Sequence, residues 1–593
     1  MKNSKGQKGY PKTHTNKANV SKVATPAKNV KPAVAPNFPF LAKFLENHYF
    51  FLGALGIIYV VMLFIVNPVG EFPLNDDWVY AKPVSLIVNH HPYFIGDMYS
   101  AVLIAQAFWG TLFCLLGRGF SFTALRFSTI VLGLAGAVIF YFLVYDFSKN
   151  RKISFLAALL LMINPLYFSL SNTFMTDVPF VATTLFSIFF FVKYINAPQL
   201  KFLIWATLFS IFAALIRQFG VLIPIAFGVC EIIIQKKSLA NRLKYLIPAV
   251  LTCIALEIGL KWLKHINSYP ENPHSSSILD FPSNPVYWSK EVVKRSQNAL
   301  FYFGLLFFPL LLFFKIPSFK TVNSFLRVSG IVVLVVIGIL FISLYRGFPT
   351  VNILNDGYLG PKCLSDVLLY HIPGHDIDSF SGTTMKIIYF IGYVGVILFS
   401  MNIGGLLVKA GKYSKLPLPA FSLNAHKKLF IAICSAGYFF LLLAPSDHFD
   451  RYLLPLFPLF CLLFFTEVGT AARIRVPAIA FSTIFIVYMI YFSACGTHDY
   501  LSWNRVRWQA VDYLTKDQNI SIHKIDAGYE VNGWLIGTGK EIDTHKLWGC
   551  VDDNTYMLSF SEINGCKTLK QFEYPTYFSQ KKHYIYVLQT KNP

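Results

Sequence analysis

The feature that most limits how this chain can fold is its succession of apolar runs, at about 49–67, 122–145, 154–172, 179–195, 201–216, 219–234, 245–263, 298–314, 328–345, 386–407, 429–444, 452–467 and 476–494. Most of these approach the length needed to cross roughly 30 Å of hydrocarbon. They are apolar all round, whereas a soluble helix shows one apolar stripe. Composition agrees: 55% of the 593 residues are hydrophobic and 14% charged, against about 25% charged in soluble chains. The sequence therefore predicts an all-α multi-spanning membrane protein of about 13 spans.

Charge orients the spans. The net charge of +22 does not form a basic, aromatic-interleaved face of the kind that binds nucleic acid. Lys and Arg gather instead in short loops, at Lys149 to Lys152, Lys236 to Lys244, Lys409 to Lys428 and Arg473 to Arg475, as cytoplasmic loops do. Residues 1–45 read as a disordered basic tail on that side, and no cleavable leader is recognisable. Acids such as Asp76, Asp97, Asp177, Asp356 and Asp450 fall on the other side. Ser100 to Gly117 is apolar, but a crossing there would invert every later loop. It is therefore expected to lie along the outer surface between the first two spans. The membrane body is expected at 46–494. After it, 495–593 should form a small extracytoplasmic α/β or mostly β domain, with strand alternation at His583 to Leu588 and a short helix at Arg505 to Leu514. Cys550 and Cys566 stand there as an open disulfide question, and no CxxC or zinc spacing occurs.

Three constellations have chemical potential. Asn75-Asp76-Asp77-Trp78 follows the first span. Two adjacent carboxylates beside a bilayer repel and desolvate each other, raising at least one proton affinity. Such a group suits a general base or a divalent-cation ligand, and Asn and Asp are equally ordinary helix caps. Thr176-Asp177-Val178-Pro179 opens the fourth span, again as helix-start grammar or as an anion-attracting end. Arg217, and Arg451 with Tyr452 beside it, sit at outer span ends, where a guanidinium either clamps a lipid phosphate or snorkels to headgroups. Asp450 stands where it would orient the Arg451 loop, and Glu257 and Lys261 are spaced as a structural helix pair. His91, in His90-His91-Pro92, and Lys82 lie in the same first outer segment as Asp76. No Walker loop, GxGxxG or HExxH is present, so a group donor on the outer side would be lipid-linked.

These residues, in this order, resemble the GT-C glycosyltransferases, in particular the dolichyl-phosphate-mannose protein mannosyltransferases and bacterial lipid A aminoarabinose transferases. The likeness rests on Asp76-Asp77 after the first span, His91-Pro92, Leu125-Arg126, the run Ser154 to Pro179 ending in Thr176-Asp177-Val178-Pro179, and Arg451-Tyr452-Leu453-Leu454-Pro455. The resemblance implies a GT-C-like membrane body and transfer of a monosaccharide, with inversion, from a polyprenyl-phosphate (undecaprenyl or dolichyl) donor to a lipid, glycan or protein acceptor. It makes Asp76, Asp77 and Asp177 the catalytic candidates and Arg451, Tyr452, His91 and Lys82 substrate-binding ones, which Arg217 joins from its place at a span end alone. Asp76 and Asp177 would also be the ligands of a divalent cation (Mg, Mn or Zn). Arg126 fits a structural position. A transporter or flippase of lipid-linked sugars and a lipid-linked oligosaccharide polymerase are the competing readings. The expected setting is a prokaryotic plasma membrane, N-terminus cytoplasmic and C-terminus outside.

Sidedness is testable directly. A reporter fused after Pro593 should face outward and one placed within Lys409 to Lys428 inward. Finding both on one side contradicts the thirteen-span reading.

Overall fold

The computed structural model describes residues 47–93, 101–235, 237–266, 285–312, 382–413, 422–443, 449–464, 476–537, 555–578 and 581–590. Helices dominate, and a four-stranded sheet lies near the C-terminus. Six of the described helices are long and apolar enough to cross a membrane: His48–Val66, Phe122–Ser148, Asp177–Asn196, Leu239–His265, Leu423–Leu442 and Pro477–Asp517. They make the chain an integral membrane protein. Arg151–Met162 and Pro165–Ser171, bent by 63°, form a candidate seventh span. Ile104–Leu116, Leu200–Ile216, Gln218–Ile234 and Ile387–Ile403 are apolar but shorter, so the described helices do not reach the expected thirteen. The basic tail 1–45, the expected span at 328–345 and Cys550 lie outside the described residues.

Local chemistry explains several boundaries. Ser121 caps Phe122–Ser148 by accepting from the Ala124 amide, while its hydroxyl donates to Glu71. The expected single span at 154–172 breaks because Asn164 accepts from the Leu166 amide and Pro165 cannot donate to the preceding turn. Ser493 donates to the Ile163 carbonyl at the break, at 2.7 Å. Ile104–Leu116 has 13 residues, roughly 20 Å of helix. That is too short to cross, and Phe108, Leu112, Leu115 and Leu116 are exposed along it.

The most enclosed candidate span is Asp177–Asn196, whose apolar window is 72% buried against 28% for His48–Val66. Asp177 therefore begins a helix at the centre of the bundle. The far end of that helix is tied by a charged knot. Asp146 accepts from the Lys427 ammonium at 2.7 Å and, through both of its oxygens, from Asn196 Nδ2, with Lys193 at 3.5 Å. Glu257 and Lys261 do pair, at 3.4 Å, on an exposed face.

The helix expected at Arg505 to Leu514 is not separate. Val476–Asp512 is one helix of 37 residues that carries the chain out of its last apolar stretch, followed by a π turn at Tyr513–Asp517. Its end supports β1 (Ile525–Asp526), β2 (Tyr556–Ser559), β3 (Cys566–Tyr574) and β4 (His583–Thr590), ordered β1-β2-β4-β3. β1 and β2 are parallel and the other pairs antiparallel, with Ile585 and Val587 of β4 buried. Asp499, near the middle of the long helix, accepts from the Tyr577 and Phe578 amides between β3 and β4.

Helices Pro285–Leu311 and Gly382–Tyr413 meet backbone to backbone at Gly304 and Gly395, where a β-carbon on Gly395 would overlap the Gly304 carbonyl. Gly395→Ala should cost about 1–3 kcal/mol through forced separation. Gly53→Ala, where nothing lies within 4 Å, should gain about 0.5–1 kcal/mol from helix propensity. Thermal midpoints in one detergent check both, and equal shifts would contradict the close approach.

Candidate active site

The segment after the first span is shaped from below by Arg126. Fully buried, it donates to the carbonyls of Pro68, Gly70 and Phe72 and lies against the Phe72 ring. This fixes the chain that leads into Leu74-Asn75-Asp76-Asp77. Asp77, 0% exposed, accepts from the Leu74 amide at 3.3 Å and from the Phe174 amide at 2.7 Å. The latter bond crosses 97 residues and ties the segment to the turn before Asp177. Gln106 holds the same turn by donating to the Phe174 carbonyl at 2.6 Å. The two acidic motifs are thus stitched together by a backbone contact.

Burial pushes the Asp77 carboxyl up to about 7, against the opposing pull of Arg126 and the two amides, with Asp76 adding to the rise. This is the raised proton affinity expected of the acidic pair. Both Asp77 oxygens meet backbone donors, however, which leaves Asp76 as the reachable carboxylate: its side chain is 24% exposed against 1% for Asp177.

Asp76 accepts from Arg451 at 3.2 Å through Oδ2 and from the Tyr529 hydroxyl at 3.0 Å through Oδ1. Asp177 lies 3.0 Å from Arg217 Nη2, while Arg217 Nε donates to Thr176 at 2.7 Å. The two guanidiniums lie against one ring, that of Tyr452, at 5.5 and 5.8 Å. Arg451 also stands within electrostatic range of both Asp76 and Asp177. Its turn, Asp450–Leu453, is braced by Asp450, which accepts from the Arg451 amide and from the Tyr302 hydroxyl. Two features remain chemically open. Among the described residues, Arg451 Nε is a buried donor with no hydrogen-bond partner, as are Arg126 Nε and Arg507 Nε, and neither Asp177 oxygen has a well-directed donor despite the short contact to Arg217.

Five of the eight candidates, Asp76, Asp177, Arg217, Arg451 and Tyr452, therefore form one cluster, and Asp77 supports it from beneath. His91 and Lys82 have other positions. His91 is exposed beyond the helix Asp77–Val88, roughly 20 Å from Asp76 by helix rise. Lys82 is exposed and lies over the Trp534 ring at 5.6 Å. Tyr80 and Tyr438, in electrostatic range of the cluster, and Tyr529 escaped sequence reasoning. Nothing local marks a lone tyrosine for such a place.

The described residues do not fit a divalent-cation site. Asp76 and Asp177 each face their own guanidinium, and no group of three His, Cys, Asp or Glu side chains able to hold a metal converges among the described residues.

The model of the dolichyl-phosphate-mannose-protein mannosyltransferase family matches residues 103–262. This stretch of the chain is mannosyltransferase-like in sequence. It includes Arg126, Asp177 and Arg217 and leaves out Asp76 and Arg451. No curated protein matches the chain. Among solved structures, ArnT from Cupriavidus metallidurans bound to undecaprenyl phosphate is similar at 10% identity and TM-score 0.41, covering 91% of this chain and 97% of that one. The oligosaccharyltransferase AglB from Archaeoglobus fulgidus, in complex with an inhibitory peptide and a dolichol-phosphate, is similar at 12% identity and TM-score 0.39. It covers 79% of this chain, which spans only 58% of AglB. At these identities and TM-scores no substrate or residue role transfers.

The Asp77 environment has a pH signature. Its native proton affinity exceeds the ordinary 3.8, so the stability it contributes is complete below that value and lost as pH rises through about 7. Asp77→Asn should lower stability throughout, because its amide cannot accept from both backbone donors, yet flatten the dependence between these limits. Thermal unfolding across that range checks it, and parallel curves for the two proteins would contradict the buried acid.

Proposed function

We propose that this chain transfers a monosaccharide from a polyprenyl-phosphate donor to an acceptor on the outer face of a prokaryotic plasma membrane. The observation that carries the reading is one reachable carboxylate, Asp76, set beside a buried guanidinium, Arg451, and a half-buried one, Arg217, that share the Tyr452 ring.

An apolar cleft supports it. A narrow, partly open pocket of about 10 Å³ lies between helices, lined by side chains including Phe180, Ile188, Phe219, Tyr438, Pro455 and Leu459. Phe180 stands three residues after Asp177, Phe219 two after Arg217 and Pro455 four after Arg451. The cleft thus starts within a turn or two of each charged group, and Tyr438 belongs to both. Its apolar lining suits a prenyl chain once the flanking helices part, and the charged end suits a phosphate, where Arg451 Nε has no hydrogen-bond partner among the described residues.

In this mechanism Asp76 takes the proton of the acceptor hydroxyl as its oxygen bonds to the anomeric carbon. The bond from that carbon to the phosphate oxygen breaks on the opposite face, giving inversion. Polyprenyl phosphate leaves with one more negative charge, stabilised by Arg451 and Arg217. Asp177 holds Arg217 in place and keeps the cluster near neutrality before the donor arrives. No step is routed through a metal.

The test uses full-length protein in nanodiscs and a panel of radiolabelled polyprenyl-phosphate monosaccharides. The wild type should release label from at least one member, and Asp76→Asn should lower kcat about 10²- to 10⁴-fold with donor binding retained. Arg451→Lys and Arg217→Lys should raise KM for the donor and lower kcat, because an ammonium lacks the fork geometry. A wild type that turns over no panel member, or an Asp76→Asn variant of normal rate, contradicts the proposal. Unchanged kinetics in both Lys variants would leave the arginines as headgroup anchors.

A further inference from the structure

Tyr529 reaches Asp76 from the C-terminal module, 453 residues along the chain. That contact is built rather than incidental. The helix Tyr529–Leu535 docks directly on the Asn75-Asp76-Asp77-Trp78 motif. Glu530, 0% exposed, accepts from the Asn75 amide at 3.1 Å through one oxygen and from Arg507 at 2.7 Å through the other. Arg507, equally buried, is aimed by Asn504 on the same turn of the long helix. Asn75 has φ of 50°, a left-handed conformation uncommon outside glycine though tolerated by Asn. Its amide points into the module, and Glu530 is the group that receives it. Trp78 packs edge-on against Tyr529 at 5.5 Å, and a β-carbon on Gly533 would run into the Trp78 ring. The approach to Tyr529 is fixed as well. Asn532 donates to Asp526 and accepts from the Ala527 amide, while Asp526 accepts from the Gly528 amide.

We infer that the C-terminal module is part of the reaction centre. Tyr529 is a positioning residue that sets the direction of the Asp76 carboxylate, and Glu530 with Arg507 holds the strained turn that carries it. The inference rests on the proposed role of Asp76 and extends it. Each Asp76 oxygen receives one protein donor, Tyr529 on Oδ1 and Arg451 on Oδ2, from opposite parts of the chain. Those two donors fix the plane of the carboxylate and leave lone pairs on both oxygens for an incoming hydroxyl. Tyr529→Phe would keep the ring against Trp78 and remove the bond to Asp76. Rotation of a base away from the acceptor damages the transition state more than the ground state.

The experiment compares wild type, Tyr529→Phe, Asp76→Asn and the double variant as full-length protein in nanodiscs, using the panel donor that the wild type turns over. Tyr529→Phe should lower kcat roughly 10- to 100-fold, with donor KM, binding of polyprenyl monophosphate and the thermal midpoint held. The double variant should be no slower than Asp76→Asn, since both changes act through one carboxylate. Wild-type turnover in Tyr529→Phe, or losses that multiply in the double variant, overturn the inference while leaving the proposed function standing. Wild-type turnover in Asp76→Asn removes both. An arm independent of turnover tests the docking: Gly533→Val should speed hydrogen exchange at the amides of residues 75–79. Unchanged exchange there overturns the inference even if no donor on the panel reacts.

Discussion

The hydrogen bond from the Phe174 amide to Asp77 governs the geometry of the whole site. It spends a buried carboxylate, expensive to desolvate, on joining the segment after the first span to the turn that opens the central helix Asp177–Asn196. Asp76 is fixed on one side of that joint and Asp177 on the other. Arg217 then faces Asp177, Arg451 faces Asp76, and the Tyr452 ring stands between the guanidiniums. The cluster is therefore held as a unit. Both pairs are partly open, so losing one partner costs less than the roughly 3–5 kcal/mol of a fully buried pair.

Its position follows from the bilayer. Charges in a membrane protein are least costly where helices end, and all five clustered candidates lie at or just beyond helix ends in an otherwise apolar body. A transporter of lipid-linked sugars would need polar groups along a path through the bundle. The small pocket beside the cluster is instead lined mainly by Phe, Ile, Leu and Pro, the kind of lining the proposed prenyl chain would need. The unpartnered donor on Arg451 and the poorly satisfied Asp177 oxygens are what an anionic headgroup and its sugar hydroxyls would complete.

The helices and the charged candidates were legible because they depend on short-range pattern. Apolar runs longer than a soluble stripe marked spans, and acids and arginines stood out at the ends of those runs. Three things were not legible. The Asn164-Pro165 bend was hidden inside a continuous apolar run, where the break depends on a capping bond and on Ser493 from a distant helix. The run-through of Val476–Asp512 was hidden because Asn504, Arg505 and Arg507 look like the start of a soluble domain, although Asn504 and Arg507 are buried against the module. The division of labour between Asp76 and Asp77 was also hidden. Adjacent carboxylates look alike in sequence, and only the fold turns one toward backbone amides and the other toward the open cluster. Tyr529 and Glu530 belong to the same class, since pairing over more than 450 residues leaves no local trace.

The central claim is that a lipid-linked phosphate sits between the two guanidiniums and faces Asp76. The most direct measurement is a cryo-electron-microscopy structure of the full-length protein in nanodiscs with polyprenyl monophosphate added. The account predicts phosphate density within hydrogen-bond distance of Arg451 and Arg217, on the Asp76 side of Tyr452, with the prenyl chain in the cleft between Phe180 and Leu459. Phosphate density elsewhere on the protein, with the Arg451–Asp76 and Arg217–Asp177 pairs undisturbed, would contradict it.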